Sequence, residues 1–157
     1  MIRWRHLALV GAALGVALPA LAAPPAMTRD EILSRGKGVV KFSYWWGHGR
    51  WSTSSTSHGS CSGSCPGCSH SGSYGADCSG FVAKAWQVPG AISVTTDSHP
   101  YSTYHFDNTS THWTTISRSS TKQADAFVYN TNGAGHIVGI AKGEALGYQV
   151  VGEFGGD

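Results

Sequence analysis

The sequence predicts an α+β domain with N-terminal helices packed on an antiparallel β-meander. Helix signals lie in the first half of the 157-residue chain, and the last third holds three strand-like runs joined by short turns. Helices and strands are therefore segregated along the chain rather than alternating, which favours an antiparallel sheet over a parallel one.

The first helix is predicted by a capping box. Residues 28–31 read Thr-Arg-Asp-Glu, so Thr28 can cap the helix while Glu31, three residues later, reaches back to the cap. Apolar residues follow directly. Gly36 and Gly38 weaken the helix and leave its end uncertain.

The second helix is predicted to begin at Cys78. Asp77 is a favoured N-cap residue, and residues 81–86 can continue a helix. A thiol in the first turn faces unpaired backbone N–H groups and the positive end of the helix dipole, and both favour the thiolate. We therefore predict that Cys78 is a nucleophile.

Residues 126–129, 136–141 and 148–153 are predicted strands, and Asn132-Gly133 is the strongest turn signal between them. In such a meander the start of one strand lies beside the end of the next, about 5 Å away. This geometry lets Glu153 reach His136.

Cys78, His136 and Glu153 can therefore form a nucleophile, a base and an orienting acid. Each residue also has an ordinary alternative. Cys78 could be a structural cysteine, His136 a strand-end histidine without a role, and Glu153 a solvated strand end. Their joint placement favours the catalytic interpretation.

Residues 1–22 are predicted to be a secretory signal peptide, with a basic start, an apolar run from 7 to 18 and a small-residue cleavage pattern. The alternative is an uncleaved membrane anchor. We expect residues 23–27 to be loose and residues 28–157 to form one domain. The mature protein should be secreted, periplasmic or in the cell envelope, without stable membrane association.

The charge balance gives no support for nucleic-acid binding. The chain has 11 Lys and Arg against 9 Asp and Glu, and two of the arginines belong to the predicted signal peptide. A near-neutral chain rich in Ser, Thr, Gly and aromatic residues favours a neutral, hydrogen-bonding substrate.

Residues 52–75 and 91–120 are predicted to be long loops. The first contains Cys61, Cys65 and Cys68. In an exported chain the spacing favours a disulfide, either Cys61–Cys68 or Cys61–Cys65, over a metal site, because no second spaced pair of ligands is present. No metal or cofactor is expected. The histidines of the second loop have no recognisable ligand spacing.

Four segments resemble the NlpC/P60 family of cell-wall cysteine peptidases. Residues 77–82, Asp-Cys-Ser-Gly-Phe-Val, resemble the family's nucleophile motif, which is the most specific match. Residues 43–47 resemble its Tyr-x-Trp-Gly segment, residues 124–129 its Gly-Asp-(apolar)-Phe strand, and residues 136–140 its His-Val-Gly-Ile strand. The resemblance covers roughly residues 28–153.

The resemblance implies a papain-like α+β fold and hydrolysis of peptide or amide bonds in peptidoglycan stem peptides by a monomer. Cys78 would be the nucleophile and His136 the base, with Glu153 at the third polar position. The remaining implied roles are an oxyanion contact for Tyr44 and substrate contacts for Asp77 and Ser79.

The sequence also departs from the family pattern. Ala124 replaces the usual glycine, and the cysteine-containing loop is an insertion. Family members usually continue with at least one more strand, so we expect that this sequence is truncated at its C-terminus. Endopeptidase and amidase activities both stay open. The alternatives are an inactive wall-binding module, a redox or metal-binding protein and a cysteine-dependent transferase.

Overall fold

The computed structural model describes residues 26–39, 42–52, 58–109, 111–144 and 147–151. The predicted signal peptide, most of the loose segment and Glu153 lie outside these residues. The described chain mixes helices with small antiparallel sheets, so the predicted α+β class is confirmed. The helices are α1 Arg29–Lys37, α2 Cys78–Ala85 and α3 Thr103–Asn108; the strands are β1 Gly49–Arg50, β2 Ser60–Ser62, β3 Ser69–Ser71, β4 Gly75–Ala76, β5 Ala126–Thr131, β6 Ala134–Glu144 and β7 Gly147–Val151.

Helix α1 begins with the predicted capping box. The Glu31 backbone N–H donates to Thr28 Oγ1 at 3.2 Å, and the Thr28 N–H donates to Glu31 Oε2 at 2.7 Å. Two N–H groups that the helix itself cannot satisfy are thus paired. The helix ends at Lys37, with Gly38 as its C-cap.

Helix α2 is the central element of the core. It begins at Cys78, as predicted, and every residue from Ser79 to Ala85 is buried. Even Lys84 is 0% exposed. Its ammonium donates to two backbone carbonyls, those of Ser93 and Thr96, at 2.7 Å each. This lysine therefore ties the segment after α2 to the helix.

Strands β5, β6 and β7 form the predicted antiparallel meander. The register places Phe127 opposite Val138 and Tyr129 opposite His136. The turn between β5 and β6 has positive φ angles at Asn132, 53°, and Gly133, 82°. Both central residues of a type I′ turn need this conformation, which explains the Asn-Gly pair.

The two predicted loops are not wholly irregular, so both predictions were wrong in part. Within residues 52–75, β2 pairs with β3 as a short hairpin, and β4 pairs with β1. Residues 91–120 contain α3 and a 3₁₀ turn, Arg118–Ser120. The hairpin is made of Ser, Cys and His, so it carries no apolar alternation, and α3 is too short to show helical periodicity.

Glycine at position 80 permits close contact between α2 and the start of strand β1. A Cβ atom added at Gly80 would collide with the carbonyl oxygen of His48 and would lie 3.1 Å from the Cα atom of Gly49. The obstacle is backbone, which cannot rotate away. This contact explains why glycine follows Cys-Ser in the segment that carries the thiol.

We expect Gly80→Ala to lower the free energy of unfolding by roughly 2 kcal/mol, because the helix must shift away from His48. Gly139→Ala is the matched control, since its Cβ would meet Phe81 only at an ordinary 3.9 Å. Urea denaturation of both variants measures the difference. Equal stability of the two variants would contradict the packing argument.

Ala124, just before strand β5, has φ of 69°. This left-handed conformation costs an L-residue roughly 1–2 kcal/mol. Ala124→Gly should relieve that strain and offset the lost methyl burial, leaving the free energy of unfolding unchanged or up to about 1 kcal/mol higher. Ala83→Gly, inside α2, should lower it by about 2 kcal/mol. Thermal denaturation compares the two variants. Similar losses of stability in both would contradict the predicted strain at Ala124.

Candidate active site

Cys78 lies at the start of α2 and lines an open groove. The groove is bounded by the turn after Tyr44, by α3 and by the hairpin between β5 and β6. Cys78 is half-buried and is a free thiol. A nucleophile in this position is accessible to a ligand in the groove.

The carboxylate of Asp77 organises the start of α2. Its Oδ1 accepts from the Gly80 backbone N–H at 2.7 Å and from the Ser79 hydroxyl at 2.9 Å. Its Oδ2 accepts from the Gly47 backbone N–H at 3.0 Å. Asp77 is the N-cap that the sequence predicts, and both it and Ser79 are buried and internally hydrogen-bonded. Their contact with substrate stays a prediction.

The thiol of Cys78 is held in its neutral form. Burial raises its pKa most, and the nearby charge of Asp77 raises it further. The backbone N–H groups of Ile137, Ser79 and Cys78 itself lower it, but they do not outweigh burial. The backbone N–H groups at the helix start therefore lower the pKa of Cys78, as predicted. The prediction that the thiolate is favoured overall is wrong, because burial has the larger effect.

Tyr44 lies close enough to the thiol for the two groups to interact electrostatically. Burial raises the pKa of its hydroxyl well above the ordinary value, and the charges of Asp77, Cys78 and Cys65 add to the rise. The phenol is protonated at physiological pH, as it would be at its ordinary pKa, and the shift widens that margin. It can donate a hydrogen bond to an oxyanion in the groove, as its predicted role requires.

The predicted base, His136, lies on β6 opposite Tyr129. The backbone N–H of the next residue, Ile137, is near enough to lower the pKa of the Cys78 thiol, so the His136 segment and the Cys78 segment meet. Among the described residues, no hydrogen bond or ion pair joins the side chains of His136 and Cys78. Glu153, the predicted orienting acid, lies outside the described part of the chain.

His99 is a groove residue that the sequence did not single out. It lies in the second predicted loop, whose histidines show no ligand spacing, but its side chain is largely buried and lines the groove. Its Nε2 atom is 4.0 Å from Asp77 Oδ2, and its buried Nδ1 atom has no hydrogen-bond partner among the described residues. No local sequence pattern signals this placement, since it depends on how residues 91–100 fold against α2.

The β2–β3 hairpin carries the other cysteines. Cys61 and Cys68 form a disulfide with their Cα atoms 5.5 Å apart, one of the two pairings that the sequence left open. Cys65 is free and exposed, and its sulfur is 3.7 Å from that of Cys68. All three sulfurs lie within 4.8 Å of one another. The adjacent Pro66 lines the same groove as Cys78.

No protein-family model matches this sequence, and neither a curated protein nor a solved structure matches it. Within the described residues, none of the helices is long and apolar enough to cross a membrane.

The raised pKa of Cys78 predicts its reactivity. Iodoacetamide reacts with the thiolate, so the rate of alkylation rises as the thiol loses its proton. In the native protein this rise should occur at a higher pH than in the unfolded chain. The Cys65→Ser variant leaves Cys78 as the free thiol. Mass spectrometry should follow its alkylation across a pH series, with and without urea. A native inflection below the unfolded one would show a stabilised thiolate instead.

Proposed function

We propose that this protein is an exported cysteine hydrolase of the NlpC/P60 type, with a papain-like fold, that cleaves peptide or amide bonds in peptidoglycan stem peptides. The observation that carries the proposal is the meeting of two distant segments. Cys78 begins a helix and lines a groove, and the N–H of Ile137, next to His136, is near enough to lower the pKa of its thiol. These are the segments that resemble the family's nucleophile and base.

The neutral thiol determines how the reaction begins. Because burial keeps the proton on Cys78, the imidazole of His136 must accept that proton as the sulfur attacks the stem-peptide carbonyl. The sulfur–carbon bond forms while the carbonyl electrons move to oxygen. The backbone N–H of Cys78 and the hydroxyl of Tyr44 would stabilise that oxyanion, at about 3 kcal/mol for each donor.

His136 then protonates the leaving amine, and the carbon–nitrogen bond breaks to leave a thioester on Cys78. Water, deprotonated by His136, hydrolyses the thioester and releases the product acid. Glu153 would hold the imidazole in one tautomer. The hydrogen bonds of Asp77 keep the first turn of α2, and hence the thiol, in place.

An inactive wall-binding module is the second candidate. Two observations favour it: the raised pKa of Cys78 and the lack of a described hydrogen bond between its side chain and that of His136. In such a module the groove would bind wall fragments without bond cleavage. The experiment that separates the two candidates is digestion of purified peptidoglycan.

We expect Cys78→Ala and His136→Ala each to reduce hydrolysis of purified peptidoglycan by at least about 1,000-fold, because nucleophile and base act as one unit. Glu153→Gln should cost less than His136→Ala, since it changes only the orientation of the imidazole. Mass spectrometry of the soluble fragments would identify the bond cleaved.

Cys65→Ser is the matched control, because it removes the other free thiol. It should leave hydrolysis within a few-fold of the unchanged protein. Full activity of Cys78→Ala would refute the proposed nucleophile. A complete absence of released fragments from the unchanged protein would favour the binding module.

A further inference from the structure

The groove beside Cys78 carries three exposed aromatic side chains. Trp46 is 67% exposed, Tyr104 58% and Tyr129 59%. Of the Trp, Tyr and Phe side chains whose exposure the structure describes, these three are the ones that are mostly exposed, and all three line this groove. Large aromatic side chains normally gain stability by burial, so three of them exposed in one concavity indicate a binding surface.

The described part of the groove lining is nearly without charge. Among the described residues it contains no Lys, Arg or Glu, and its one carboxylate, Asp77, is occupied by hydrogen bonds within the protein. The other polar groups are mainly amides and hydroxyls, such as Asn108, Asn132 and Thr103. A ligand with several free carboxylates would require Arg or Lys partners. The lining therefore fits an uncharged, hydrogen-bonding ligand.

A pyranose ring in a β-linked strand meets both requirements. Its faces present C–H groups, whose partial positive charge is attracted to the negative face of an aromatic ring. Its edges present hydroxyl and acetamido groups, which pair with side chains that both donate and accept, as an Asn amide does. Exposed rings next to amides thus complement a sugar on its face and its edge at once.

We propose that Trp46, Tyr104 and Tyr129 form an oligosaccharide-binding surface in the groove. The inference rests on the proposed function, which it makes more specific. The sugar strand lies along the aromatic side chains while the attached stem peptide reaches Cys78. The substrate is then a peptide still joined to its glycan, in preference to a free peptide.

Saturation-transfer NMR on the Cys78→Ala protein tests binding without hydrolysis. The probe is the tetramer of β-1,4-linked N-acetylglucosamine. We expect saturation to reach its ring C–H protons, and Trp46→Ala, Tyr104→Ala and Tyr129→Ala each to raise Kd roughly tenfold, the upper range for one aromatic contact. Trp46→Phe, which keeps an aromatic face, should restore most of the binding.

Ile92→Ala is the matched control, because Ile92 is also an exposed apolar residue but does not line this groove. It should leave Kd unchanged, and urea denaturation should show that every variant is folded. No binding of the tetramer at millimolar concentration would overturn the inference. Binding that all three alanine variants retain would overturn it as well.

A second measurement separates this inference from the proposed function. The unchanged protein should cleave glycan-linked stem peptides at least tenfold faster, in kcat/KM, than the same peptides released from the glycan. Equal rates would refute the sugar surface and leave the hydrolase in place. Sugar binding without cleavage of either substrate would refute the hydrolase and leave the sugar surface.

Discussion

The site depends on the buried carboxylate of Asp77. This group is 7% exposed and accepts hydrogen bonds from three donors, in the turn at Gly47, in Ser79 and in Gly80. A buried carboxylate is tolerated only when its oxygens are satisfied in this way. The bonds from Ser79 and Gly80 close the first turn of α2, and the bond from Gly47 holds that helix start against the turn at Gly47. Because the position of Cys78 follows from that helix start, one residue's hydrogen bonding determines where the thiol sits.

Burial has two opposite consequences for the chemistry of the groove. It disfavours the charged form of Cys78, so attack by this thiol would require a base. It also raises the pKa of the Tyr44 hydroxyl, which therefore stays a hydrogen-bond donor well above physiological pH. Both pKa shifts are greatest when the groove excludes water. A bound oligosaccharide strand along Trp46 would exclude more water from the groove. Sugar binding would then change the pKa of the Cys78 thiol and so be coupled to its chemistry.

Local sequence patterns predicted the elements that are stabilised by hydrogen bonds between residues only a few positions apart in the sequence. The capping box of α1, the Asp77 cap and the Asn132-Gly133 turn are all of this kind, and all three are present. The patterns failed where a segment is stabilised by distant contacts. Helix α3 has six residues, and one of them, Phe106, is buried in the core, which no window of so short a helix can reveal.

The sequence by itself determined the class of the fold, the start of the helix that carries Cys78 and the sheet that carries His136. These follow from torsional preferences and short-range hydrogen bonds, which neighbouring residues set among themselves. Only the tertiary structure decided that the Cys78 thiol stays neutral, that His99 is largely buried beside Asp77 and that Trp46 stays exposed. Desolvation and exposure depend on which distant segments cover a side chain, and that information is absent from any local stretch of sequence.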